Sequence, residues 1–164
     1  MKKIMMAALA LASPTATPAL AQSANWAVTG TVNAQCGALT GSTLAFGTIA
    51  INASDGKLAT NAPVSSASQP VYCNGVNSTI TVGYTAMTNT TTAATDTADF
   101  TGKIDYTANV AFGGTNFAPG AAPQALGASA GTLVVTASAL NAGGKRPYAG
   151  SYSGNIAVTL SPAQ

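Results

Sequence analysis

The side chains best suited to chemistry are few in this sequence. There are two cysteines, Cys36 and Cys73, and four aspartates, with neither histidine nor glutamate. Without histidine, no Ser-His-Asp or Cys-His arrangement can be built. Paired-carboxylate hydrolysis would need two of Asp55, Asp96, Asp99 and Asp105 to converge. Asp96 and Asp99 are close in sequence, but they lie in a Thr/Ala-rich stretch that reads as a solvated loop. Ligand spacing for zinc or an EF-hand is absent, so no metal or other cofactor is implied. Gly113-Gly114 and Gly143-Gly144 end strand patterns and open no helix, which argues against phosphate loops. The sequons at Asn52, Asn77 and Asn89 arise readily in Thr-rich sequence. The pattern as a whole argues against an enzyme.

What remains for the cysteines is each other, and the compartment decides whether they pair. Lys2 and Lys3 precede an apolar run from Ile4 to Ala12, and a Pro-containing segment then ends in Ala19-Leu20-Ala21. A charged start, a short apolar run and an A-x-A site make a secretory signal over residues 1–21, cleaved before Gln22. The apolar run is shorter than the ~20 residues a membrane helix needs, so no membrane insertion is expected. In an oxidising compartment two cysteines favour a disulfide, with free structural thiols as the plainer alternative.

The exported chain, Gln22 to Gln164, is long enough for one domain with its own core. Lys57, Lys103, Lys145 and Arg146 balance the four aspartates, leaving no formal net charge. A neutral chain without a basic run is a poor partner for nucleic acid or an anionic membrane. Neutrality also removes repulsion between copies, which favours association.

The elements follow from alternation. Ala24, Trp26, Val28, Gly30, Val32 and Ala34 fall on one face, against Asn25, Ala27, Thr29, Thr31, Asn33 and Gln35 on the other. Such a pattern predicts a half-buried strand about 40 Å long, roughly twice the usual length. Gly30 suits a close backbone approach. Leu39 to Ile51 reads as a strand bent at Gly47, and Asn52 to Gln69 as a loop turning at Asp55-Gly56. Val71 and Cys73 share one face of a short strand, which Asn74-Gly75 turns into a hairpin with Thr79 to Tyr84. Thr85 to Thr101 carries little information beyond an edge strand and a loop. Ile104 to Phe112 alternates clearly, Phe117 to Ala130 reads as a surface connection, and Thr132 to Ala139 forms another strand. The last strand places Tyr152, Gly154, Ile156, Val158 and Leu160 on one face. Short strands between Gly, Asn and Pro turns predict an all-β, immunoglobulin-like Greek-key β-sandwich.

Four stretches carry a family resemblance: AVTGTVNAQC, LAFGTI, VYCNG with an alternating strand behind it, and YAGSYSGNIAVTL. The chain resembles the spore coat protein U-like secreted proteins, which include the major pilins of archaic chaperone-usher pili. The likeness spans essentially the whole exported chain and is strongest at both ends and around the cysteines; Thr85 to Ala98 matches no family pattern. It implies an incomplete immunoglobulin-like domain over residues 36–164, preceded by an N-terminal extension over 22–35. Such a subunit passes through the periplasm of a Gram-negative bacterium to the cell surface. A periplasmic chaperone fills its groove until an outer-membrane usher exchanges it for the donor strand of a neighbouring subunit. The resulting pilus supports adhesion or biofilm formation.

On this resemblance Trp26, Val28, Gly30 and Val32 are the donor-strand residues, and Tyr152, Ile156, Val158 and Leu160 line the acceptor groove. A head-to-tail contact of this kind repeats into an open filament. Two departures from the family stand out: the extension ahead of Cys36 is short, and Ser161-Pro162-Ala163-Gln164 follows the last strand. The alternatives from the residues alone are a long internal first strand and a self-contained secreted sandwich that coats a surface or binds a glycan.

Overall fold

The structure is a computed structural model that describes residues 23–91, 96–120 and 122–164. The signal segment over residues 1–21 lies outside the described residues. The described chain is all-β and divides into two units, residues 1–31 and 32–164. All ten strands belong to the second: β1 (Val64–Ser65), β2 (Gln69–Cys73), β3 (Thr79–Asn89), β4 (Phe100–Thr101), β5 (Lys103–Phe112), β6 (Thr115–Phe117), β7 (Gln124–Ala125), β8 (Ser129–Asn141), β9 (Arg146–Pro147) and β10 (Tyr152–Ser161).

Apart from the short parallel pair β4–β9, every pairing is antiparallel. β8 lies between β5 on one side and β1 and β2 on the other, and β6 closes against the end of β5. β3 pairs with β10 along nearly its full length. β5 joins the two groups, because Lys103 and Ile104 pair with Thr88 and Met87 of β3 before the strand moves on to β8. The inward faces then meet: Val71, Val110, Phe112 and Leu133 from one group pack with Ile80 and Val82 from the other. A second cluster, around Ile104, Tyr106, Ala108 and Ala137, continues the core. The alternation that marked β5 and β10 in the sequence is the alternation of these inward side chains.

Several local expectations are corrected. β2 and β3 form no hairpin; β2 pairs with β8 and β3 with β10. Val71 and Cys73 on one strand and Ile80 and Val82 on the other are all buried, so the two strands face each other across the core. The five residues 74–78 therefore bridge the layers, with the Ser78 carbonyl accepting from the N–H groups of Leu126 and Gly127. Residues 39–51 form no strand, only an isolated bridge between Ile51 and Leu58, although Leu44, Phe46 and Ile49 pack on the second cluster. Gly113 and Gly114, expected to end a strand, both take positive φ and turn β5 tightly into β6, which buries Phe117; the expected surface connection from Phe117 to Ala130 holds the short strand β7 and the start of β8.

Cys36 and Cys73 are disulfide-bonded, with Cα atoms 4.1 Å apart. The bond holds the edge segment against the end of β2, where the Gly37 N–H donates to the Tyr72 carbonyl at 2.8 Å.

Candidate acceptor groove and N-terminal arm

β10 has a strand on one side only. Its inner edge pairs with β3, and no described strand lies along its outer edge. Across from that edge runs the segment from Leu39 to Phe46, which is itself in no strand. Between them opens a groove of about 600 Å³. Its β10 wall comprises Tyr152 to Ile156 and Val158, and its floor is Met87, Tyr106, Leu133, Val135 and Ala137. Three of the four acceptor residues expected from the sequence, Tyr152, Ile156 and Val158, line it. Leu160 packs against the first core cluster without lining the groove.

The opposite wall, with Leu39, Leu44 and Phe46, was not assigned to a site from the sequence. Its apolar alternation is visible there, but nothing local says which edge of the segment lacks a neighbour. An apolar floor between the outer edge of β10 and a segment in no strand is chemically suited to an extended peptide, although Thr40 on that segment already exchanges hydrogen bonds with the Gln69 side-chain amide. Backbone groups on either side can complete ladders, and alternate side chains can enter the cleft.

One end of the groove is shaped by backbone. Ser153 pairs with Thr88 and Asn155 with Thr85, so Gly154 faces the extra residue of a bulge in β3. A Cβ at Gly154 would stand 2.7 Å from the Thr85 carbonyl oxygen and 3.0 Å from the Met87 nitrogen. Tyr106 reaches the same place from below, its hydroxyl 3.0 Å from the carbonyl oxygens of both Thr85 and Asn155. Burial pushes the Tyr106 phenol above its ordinary value, with Tyr84 and Asp105 adding to the shift.

The first unit contributes residues 23–31, which are in no strand. Trp26 is 83% exposed and Val28 95%. The half-buried strand expected over residues 24–34 is therefore not present. An apolar alternation without a partner has nothing to bury against, and the sequence pattern cannot say whose core it would enter. Gly30 would meet nothing within 4 Å if given a Cβ.

Val32 begins the second unit and is 79% exposed. From there to Gln35 the backbone is held by hydrogen bonds. Gln164 Nε2 donates to the Val32 carbonyl at 3.3 Å, and Asn74 Nδ2 to the Asn33 carbonyl at 3.0 Å. The Gln35 N–H donates to Asn74 Oδ1 at 2.6 Å, and the Gln35 carbonyl accepts from the Asn74 N–H at 3.0 Å. Asn77 in turn holds the tail, donating from its N–H to the Ala163 carbonyl and from Nδ2 to the Gln164 carbonyl.

Asp96 and Asp99 do not come together as an acid pair. Asp96 Oδ1 accepts from the Ala98 N–H at 2.9 Å, capping its own loop, while Asp99 lies 3.9 Å from Arg146. No known family model matches the chain, and no curated protein matches it.

Proposed function

We propose that this protein is a structural subunit of an extracellular fibre, in which the N-terminal arm of one copy completes the sheet of the next. The observation that carries this is the pairing of two deficits in one chain: a groove bounded by the outer edge of β10 and a segment in no strand, and an arm whose apolar face is exposed. Trp26, Val28, Gly30 and Val32 are the donated residues, and Tyr152, Ile156 and Val158 receive them from the β10 side. The domain is then an immunoglobulin-like Greek-key sandwich that lacks one strand. The family resemblance supplies the remaining partners, a periplasmic chaperone that covers the groove before assembly and an outer-membrane usher.

The chemistry is association without catalysis. An extended segment entering the groove adds main-chain hydrogen bonds to two edges and buries alternate side chains, at about 1.5–3 kcal/mol for each large apolar one. Repetition with a head-to-tail contact gives a filament. The test is complementation in trans. A peptide spanning Ala24 to Ala34 should raise the melting temperature of a chain lacking residues 22–33. No change at saturating peptide would favour a self-contained secreted sandwich, whether a coat or a glycan-binding protein.

A further inference from the structure

We infer that Asn74 and Gln164 form a clamp that prevents the arm from folding back into its own domain's groove and so commits it to a second copy. The inference rests on the donor-strand reading above and adds what decides between self-closure and donation.

The need for such a device follows from the geometry of the second unit alone. The groove's non-β10 wall is residues 39–46, which begin only a few positions after Val32. A chain that reversed direction over residues 32–35 would lay its preceding residues beside that wall as a simple hairpin. Hairpins of this length are the commonest connection between antiparallel strands, so self-closure is the local default. It would also be unimolecular, with an effective concentration no second copy could match.

A reverse turn over residues 32–35 is closed by one hydrogen bond, from the N–H of Gln35 to the carbonyl of Val32. Both groups are engaged elsewhere. The Gln35 N–H is taken by Asn74 Oδ1 at 2.6 Å, and the Val32 carbonyl by Gln164 Nε2 at 3.3 Å. Between them, Asn74 Nδ2 holds the Asn33 carbonyl. A single asparagine thus uses both ends of its amide on the would-be turn, and its backbone N–H holds Gln35 as well. Gln35 is fixed further by its side-chain amide, 2.5 Å from the Tyr72 hydroxyl. Gln164 is itself positioned through its carbonyl by Asn77. The tail after β10 therefore has a role: it places the side chain that occupies Val32.

Trp26 is the only tryptophan in the sequence, so its fluorescence reports where the arm is. In the full-length chain at high dilution, Trp26 should emit as an exposed indole and be freely quenched by acrylamide. Raising the protein concentration should shift its emission to the blue as arms enter other copies. In the double variant Asn74→Ala/Gln164→Ala, the blue shift and several-fold protection from quenching should appear at all concentrations, in a species that sizes as a monomer. Ala34→Gly leaves the clamp residues in place and creates an Asn-Gly dipeptide, which favours the turn. It should move the chain the same way, and it covers the case in which the double variant fails to fold. Exposed tryptophan in a folded dilute monomer of both variants overturns the inference, as does a wild-type monomer already closed at high dilution. The trans peptide distinguishes the two failures. If it still stabilises the arm-deleted chain, only the clamp is wrong; if it does not, the donor-strand reading falls with it.

Discussion

The hydroxyl of Tyr106 on β5 lies 3.0 Å from the carbonyl oxygen of Asn155 on β10, linking the core of one layer to the edge strand of the other. The same hydroxyl is 3.0 Å from the Thr85 carbonyl, so one proton serves two strands where they separate at the bulge. Tyr106→Phe should cost about 1–2 kcal/mol in chemical denaturation, the range for a lost hydrogen bond with acceptors left short of a donor. The effect should also depend on pH. Burial first, then Tyr84 and Asp105, raises the phenol above its ordinary 10.0, so the folded state holds the proton more tightly than the unfolded chain. That contribution is complete below about pH 10 and is lost as pH rises through the folded value. Wild-type stability should therefore fall in alkali more steeply than that of Tyr106→Phe; parallel curves would count against the assignment.

Thiol labelling of the unfolded, unreduced protein should find no free sulfhydryl, because Cys36 and Cys73 are bonded to each other. Closing a loop between residues separated by 37 positions stabilises by about 4 kcal/mol on the chain-entropy model. Reduction should lower the melting temperature accordingly, and Cys36→Ser/Cys73→Ser should reproduce the loss without reductant.

Val158 lines the groove and pairs in register with the fully buried Val82. Val158→Asp should still fold, since the position is only half-buried. Peptide uptake should be abolished, because a carboxylate would then be sealed from water at a cost of several kcal/mol. Thr159→Asp on the exposed face should leave uptake unchanged. Equal stabilisation of both variants by the peptide would remove Val158 from the site.

Gly154→Ala tests the backbone contact at the groove's end. Its Cβ would press on the Thr85 carbonyl and the Met87 nitrogen, neither of which can swing aside as a side chain could. We expect a loss of about 1–3 kcal/mol, in the range of overpacked sites, and loss of the Tyr106 contact along with it. An unchanged melting temperature would mean that the bulge is free to relax.

The all-β class and two of the long strands, β5 and β10, were legible in the sequence because the layers bury one face of each, whereas β3 was legible only as far as Tyr84. Ile104 to Phe112 and Tyr152 to Leu160 show that alternation directly. The pairing of strands was less accessible. Asn74-Gly75 carries a strong local turn signal, yet the strands on either side stack across the core, a choice made by which ladders β8 and β10 offer. β6 was hidden because three residues after a Gly-Gly turn are too few to show a period. Of the groove, the β10 wall could be read from its alternation. The wall from Leu39 to Phe46 looked like an ordinary strand, since a missing neighbour leaves no mark on the residues that lack it. The clamp was invisible for a similar reason: Asn74 and Gln164 are unremarkable polar residues until the tail and the chain near Val32 are brought together.

The placement of the disulfide has a mechanical consequence. Tension applied to the arm enters the domain at Val32 and reaches Cys36 within four residues. There the covalent path divides. The main chain continues into residues 37–68, where the described strand is the two-residue β1, while the Cys36–Cys73 bond leads straight into β2. β2 is held to β8 by five consecutive pairs, from Gln69↔Leu133 to Cys73↔Ser129. The load therefore bypasses a stretch with little strand and falls on a ladder in the heart of the fold. Under reducing conditions the same pull would first draw out the segment from Gly37 to Phe46, dismantling one wall of the groove, so the fibre proposed above should lose tensile strength before its domains lose their fold.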